Sequence, residues 1–312
     1  MGAKSQRGHG RRGQRSDQGS GQGTGRRGSQ GRGQGSGQGP ARESRHGEAT
    51  RSEALPSAPA TPPARDVDLL YGIHPVLEAL RAGRRACRRL LLKADAHSQR
   101  LDELRDLAHA RGLPVVAAHA GDLERLCGNA AHQGAVLEAG RLAPPDAREA
   151  LALPLADTPL LVALDEVEDP QNLGAIVRSC AVFGAAGVVL PRHHSAALNA
   201  AASKASAGTL ESYPLYEAAN LARFLGQARE AGWWVAGTVA AGGQPLREFQ
   251  RAGALVLVLG NEGRGLRPLV ARNCDLLLTI PVSGGGSLNV SNAAAVLLYQ
   301  LSVGRAVSGT VR

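Results

Sequence analysis

Two rhythms of apolar residues run through the chain from Asp66 onward, and neither is present before it. Short continuous apolar runs read as strands; apolar positions recurring every three or four residues read as helices with one buried face. "VDLLYGIHPVLEALRAG" gives a short strand and then a helix with Val76, Leu77 and Leu80 on one stripe. "CRRLLLKAD" is a strand. "SQRLDELRDLAHARG" is an amphipathic helix with Leu101, Leu104 and Leu107 at helical spacing, ended by Gly112. "LPVVAAH" and "HQGAVLEAG" are further strands, with the short helix "GDLERLCG" between them. Residues 66–142 therefore read as a small α/β unit, and the Pro/Ala-rich stretch over 143–158 suits a linker.

From Leu160 the strand–helix alternation becomes regular. The strands are "LLVALDEV", "GVVLP", "WWVAGTVA", "ALVLVLG" and "LLLTIPV". Between them lie the helices "NLGAIVRSCAVFG", "SAALNAAASKASAG", "NLARFLGQAREAG" and "RPLVARNC", with "SLNVSNAAAVLLYQLSVG" last. Nearly every strand position is apolar, so both faces of the sheet must be covered. This predicts an α/β domain over 159–306 on a mostly parallel sheet. Trp233 and Trp234 should straddle a strand, one ring inward and one against a helix or a partner subunit.

Charge changes the picture only at the amino terminus. The chain carries 36 Lys/Arg and 27 Asp/Glu, a net of +9, but 12 and 4 of these lie in residues 1–65. The body from Asp66 holds 24 and 23 and is nearly neutral, so a basic surface there must be local. The segment before Leu55 has no Leu, Ile, Val or aromatic residue and is expected to be disordered. It suits a loose electrostatic tether for RNA or a solubilising extension; a mitochondrial transit peptide ranks last, because no amphipathic face is present. Cys87, Cys127, Cys180 and Cys274 are far apart, which argues for reduced thiols and against a zinc site or a disulfide framework. No apolar run approaches the roughly 18 residues of a membrane helix. A soluble cytoplasmic protein without a metal is the expectation.

The candidate chemistry lies where strands end. "VLGNEGRG" follows a strand, but its spacing is G-x-x-G-x-G and it sits on the fourth strand of the domain, so it does not make a dinucleotide site. No GK[ST] follows, which excludes a P-loop. Three segments, "DPQNLGAIVRS", "LGNEGRGL" and "IPVSGGGSLNVSNAA", fall at carboxyl ends of parallel strands, where ligands bind in such sheets. They should bring Asn172, Arg178, Glu262, Ser287 and Asn289 into one region. Arg178 is the anomaly: a guanidinium inside an otherwise apolar helix either pairs with a carboxylate or points into a cleft toward an anion or hydroxyl. Taken singly, Asn172 and Ser287 suit helix N-caps and Glu262 a solvated or paired turn residue. His193 and His194 read as a solvated loop.

In that order and at those separations, the three segments resemble the motifs of the SpoU branch of the SPOUT methyltransferases, over Leu160 to Gly304. The front unit resembles the L30e-like RNA-binding domain of RlmB-type members of that branch. The resemblance implies a methyl donor, S-adenosylmethionine, and an acceptor, the ribose 2′-hydroxyl of a guanosine in 23S rRNA. It implies a trefoil knot threading roughly residues 260–292, and a homodimer through the knotted domain with active sites at the interface. It implies backbone contacts to the cofactor around Gly260, Asn261, Gly263, Ile280 and Leu288, with Asn289 beside them. Arg178 is then catalytic, as general base or as a grip on the phosphate and ribose, and Glu262 anchors it or the cofactor's amine. Ser287 positions a loop or RNA group. Two departures stand out: "VSGGGSLNV" is one residue shorter than the usual third-motif loop, and Asn292 replaces an aliphatic residue. A tRNA substrate, or a non-catalytic RNA-binding assembly factor that kept the knot, are the competing readings.

Overall fold

The computed structural model describes residues 67–302 apart from 97, 129–131 and 285; the tail expected to be disordered, residues 1–65, lies outside the described residues. The chain begins with strand β1 (Val67–Tyr71), helix α1 (Ile73–Ala82), β2 (Cys87–Lys93), α2 (Gln99–Ala110), β3 (Val115–Ala118), α3 (Ala120–Cys127) and β4 (Ala135–Gly140). These form a four-stranded sheet of order β1-β4-β2-β3, in which β4 runs antiparallel to β1 and β2 while β3 is parallel to β2. Helix α1 buries Val76, Leu77 and Leu80, and α2 buries Leu101 and Leu104, against Leu90, Leu92 and Leu137 of the sheet. Each such leucine contributes about 1.5–3 kcal/mol when fully buried.

Residues 143–158, expected as a plain linker, form two 3-10 turns, Ala147–Ala152 and Leu155–Asp157. Ala147 and Ala150 are buried beneath the second sheet, because the Ala/Pro content that removes helical length also makes close packing easy.

The second lobe runs β5 (Leu160–Asp165), α4 (Pro170–Val182), β6 (Gly187–Pro191), α5 (Ala200–Ala205), α6 (Thr209–Ser212), β7 (Leu215–Ala218), α7 (Leu221–Glu230), β8 (Trp234–Thr238), β9 (Gln244–Pro245), β10 (Leu255–Gly260), α8 (Pro268–Ala271), β11 (Leu276–Thr279) and α9 (Val290–Ser302). Its seven strands are all parallel, in the order β7-β6-β5-β10-β8-β11-β9. The apolar strands serve two cores. Val162, Leu164 and Leu257 face α4 and α9, whereas Leu161, Ala163 and Val256 face α7 and the linker turns. Trp233, just before β8, supplies the inward ring, whereas Trp234 at the start of the strand is 55% exposed. Strands β5 and β10 sit side by side in the centre, so the loops leaving Asp165 and Gly260 are neighbours. No helix among the described residues is long and apolar enough to cross a membrane.

Candidate active site

Helix α4 is capped by Asp169, whose carboxylate accepts from Gln171 N at 2.9 Å, with Pro170 in the first turn. That frees Asn172, buried within the first turn, from the capping role expected of it alone. Its Nδ2 instead donates to Glu262 Oε1 at 2.6 Å. Asn289 Nδ2 donates to the same oxygen at 2.8 Å and to Asn172 Oδ1 at 3.0 Å. The amide orientations follow from donor arithmetic. Ser291 N can only donate, so Asn289 Oδ1 must face it, which it does at 2.8 Å. Asn289's amide nitrogen is thereby turned to Asn172 Oδ1, and Asn172's amide nitrogen to the carboxylate. Asn289 therefore caps α9, and Ser287 stands two residues outside the cap and exposed, not at the N-cap expected of it singly.

Asn172, Glu262 and Asn289 are brought together from the three separate segments. Arg178 is not part of that cluster. It lies six residues beyond Asn172, roughly 9 Å along the axis and about 240° around it. It is exposed, and among the described residues it has no hydrogen-bond or carboxylate partner. The internal ion pair open to it on sequence grounds is absent there, and Glu262 anchors the two asparagines in its place.

The turn carrying Glu262 is closed by its own backbone. Asn261 N donates to Gly265 O at 3.1 Å and Gly265 N to Asn261 O at 2.8 Å. Asn261 Oδ1 takes Gly263 N and Arg264 N, while its Nδ2 reaches Glu166 O at 2.9 Å. Its side chain is thus committed within the protein. A Cβ on Gly260 would stand 2.5 Å from Gly265 C, so only glycine allows this approach. Beneath the turn, the fully buried Asp165 accepts from Arg267 N at 2.8 Å and Arg267 Nε at 2.7 Å. Asp165, Glu166 and Arg267 had not been singled out in the sequence. The available signal was a carboxylate closing an otherwise apolar strand, which has to find a donor on a neighbouring loop.

Three loops, those after β8 and β10 and the one before α9, enclose a cavity of about 600 Å³. Gly260, Asn261, Glu262, Gly263, Ile280, Ser287 and Leu288 all line it. Its walls combine backbone amides and carbonyls with apolar side chains. Burial pushes the Cys180 thiol up and that of Cys274 to about 12, so neither offers a ready thiolate.

Residues 159–299 match the SpoU rRNA Methylase family, and residues 69–145 match the RNA 2′-O ribose methyltransferase substrate-binding domain. An uncharacterized tRNA/rRNA methyltransferase of Mycolicibacterium vanbaalenii is 40% identical over 240 residues, 76% of each chain. The chain belongs to the SpoU family of RNA methylases. A Mycobacterium tuberculosis relative, also an uncharacterized tRNA/rRNA methyltransferase, is 40% identical over 261 residues, 82% of this SpoU methylase and 80% of the relative. Among solved structures, this SpoU chain is similar to the SpoU methyltransferase AviRb of Streptomyces viridochromogenes in complex with AdoMet. That match has a TM-score of 0.65 and 26% identity, covering 78% of this chain and 91% of that one. An AdoMet-bound rRNA methyltransferase of Sinorhizobium meliloti matches with the same TM-score and identity over 76% and 87%.

Proposed function

We propose that this SpoU methylase transfers the methyl group of S-adenosylmethionine to the ribose 2′-hydroxyl of a guanosine in 23S rRNA, acting as a homodimer. The observation that carries the reading is the Asn172–Glu262–Asn289 cluster, with Glu262 itself lining a glycine-walled cavity. About 600 Å³ lies within the range of roughly 300–1,000 Å³ that small-molecule sites occupy. In this reading the backbone at Gly260, Asn261, Gly263, Ile280 and Leu288, all of which line the cavity, holds the donor, and the Glu262 carboxylate supplies the negative charge that suits a cationic ligand. When bound, S-adenosylmethionine supplies an electrophilic methyl group on a sulfonium sulfur.

The chain's own residues then have two tasks. One is to hold the ribose hydroxyl in line at near-attack distance, a positional effect of large size. Asn172 and Asn289 suit it, because the shared carboxylate fixes their amides before any RNA arrives. The other is to accompany loss of the hydroxyl proton. Arg178, exposed and without a partner among the described residues, either takes that proton as the neutral guanidine or, as the cation, grips the adjoining phosphate and orients the sugar. Ser287 borders the same cavity and suits contact with the RNA or the third loop.

The homodimer reading rests on an exposed apolar face. Val182 of α4 is 71% exposed, and Val296 and Tyr299 of α9 are 42% and 58% exposed. Phe183 packs edge-on against Tyr299 at 6.0 Å between ring centroids. Arg178 lies one turn before Val182, at the rim of this face, which supports its acting across a subunit contact. Asn292 lies one turn before Val296 on the same stripe, where an aliphatic residue was expected. The trefoil threading of residues 260–292 belongs to this proposal: after β11, near one edge of the sheet, the chain returns to pack α9 against α4 and the central β10. So does the L30e-like character of the first lobe as the RNA grip.

The test is transfer of labelled methyl to 23S rRNA and to tRNA, with Arg178→Ala alongside. Label should enter 23S rRNA, and the variant should lose on the order of 100-fold in kcat while its S-adenosylmethionine affinity holds. Undiminished transfer by the variant overturns the role of Arg178. Label confined to tRNA moves the substrate, and cofactor binding without any transfer leaves the RNA-binding assembly factor.

A further inference from the structure

The guanidinium of Arg85, in the turn between α1 and β2, has no exposed surface at all. It makes five hydrogen bonds, as many as it has N–H donors. Nε and Nη2 take the two carboxylate oxygens of Glu211 at 2.6 and 3.1 Å; Nη1 reaches Asp68 Oδ2 at 2.8 Å and Gly140 O at 3.1 Å; Nη2 also reaches Leu198 O at 2.8 Å. Asp68 and Gly140 belong to the first lobe, Glu211 and Leu198 to the second. One buried side chain thus bridges the two lobes, and Glu211 is itself 1% exposed.

Other contacts converge on the same junction. Arg84 Nη1 donates to Tyr213 O at 2.7 Å. Gly208, at φ 90°, lets the start of α6 approach the first lobe so closely that a Cβ there would stand 2.8 Å from His74 O. Lys204 Nζ lies 5.2 Å from the centroid of the Tyr71 ring. The linker is held as well, since Glu217 N donates to Pro145 O at 2.7 Å. The segment between β6 and β7, residues 198–213, packs on α4 and at the same time meets α1 and β1 of the first lobe.

We propose that the Arg85–Glu211–Asp68 network locks the two lobes into one body, so that the enzyme measures a fixed distance between the RNA segment it grips and the ribose it methylates. The consequence is a specificity: the substrate is an RNA already folded with its target sugar at that spacing, and an unstructured strand of the same length is used poorly. Removing Arg85 leaves the buried Glu211 carboxylate, and the partly exposed Asp68 beside it, without their cation, so the junction opens instead of relaxing in place. Lysine does not substitute, because a single ammonium cannot reach acceptors on four segments. Arg85 touches no part of the cavity; it is a positioning residue. This inference rests on the RNA-methylation reading, but its first arm does not need activity.

In calorimetry of the full chain, the two lobes of the wild type should unfold in one transition, shifted upward as a whole by S-adenosylmethionine. Arg85→Met and Arg85→Lys should split it in two, with only one transition responding to the cofactor. Arg84→Ala, a milder variant that keeps the buried network, should leave one transition. In methyl transfer, Arg85→Met should raise KM for a folded 23S rRNA fragment about tenfold or more while kcat stays within threefold. Its preference for folded over unfolded RNA should shrink. Two independent transitions in the wild type, or an Arg85→Met enzyme with one transition and an unchanged KM ratio, would overturn the lock. If no RNA is methylated, the proposed function falls and the calorimetry still decides the lock.

Discussion

Glu262 illustrates how a single residue can be legible in type and not in role. An acidic residue in a glycine turn after an apolar strand is visible in "LGNEGRG", and the sequence suggests that it anchors Arg178 or the cofactor's amine. What it anchors depends on which amides the fold delivers, and the sequence favoured Arg178 or a ligand over two asparagines 90 and 27 residues away. Asn172 was ambiguous for a related reason: Asp169, three residues earlier, also competes for the cap and wins it. Gly260 is the sharpest residue-level test of the turn. Gly260→Ala drives a Cβ against the Gly265 carbonyl carbon at 2.5 Å and Leu266 N at 2.7 Å, both backbone atoms that cannot swing away. The turn must then open, so S-adenosylmethionine affinity should fall at least tenfold in titration calorimetry while the first lobe remains folded. Unchanged affinity would mean that the turn does not shape the cavity.

At the scale of elements, long periodic segments are legible in the sequence and short ones are not. Helices α2 and α7 stand out because their apolar positions repeat over ten or more residues and each has a polar N-cap, Ser98 and Asn220. "SAALNAAASKASAG" reads as one helix by composition, yet α5 covers only Ala200–Ala205 after the Asn199 cap, and a further turn beyond that stretch, α6, starts at Thr209. The break comes from Ala207 and Gly208, at φ 53° and 90°, and the reason for it is the approach to α1, a tertiary demand with no local signal. Strand β7, "LYEA", is too short to show a period and becomes a strand only by pairing with β6. Helices α4 and α9 carry the other element-scale prediction. Their exposed Val182, Val296 and Tyr299 are buried in the proposed dimer, so the wild type should sediment as a dimer and a Val182→Asp/Tyr299→Asp variant as a folded monomer with transfer reduced at least tenfold. A wild type that sediments as a monomer at micromolar concentration would contradict the shared site.

For the whole molecule, the order of apolar runs sufficed to foresee two α/β lobes and a covered parallel sheet, because both are dictated by which faces must be dry. The convergence of three loops was legible from a general property of parallel sheets, that ligands gather at the carboxyl ends of strands. The junction between lobes was not legible. Arg85 and Glu211 are 126 residues apart, each looks like an ordinary surface charge in its own segment, and only the packed fold makes them a pair. The central claim is that the converged loops direct a methyl group to a sugar oxygen, and the most direct measurement is chemical. RNA labelled by the enzyme is hydrolysed in alkali, which cleaves only where a free 2′-hydroxyl can attack the phosphate. The account predicts label in alkali-resistant dinucleotides that yield 2′-O-methylated nucleosides; label recovered entirely in mononucleotides methylated on the base would contradict it.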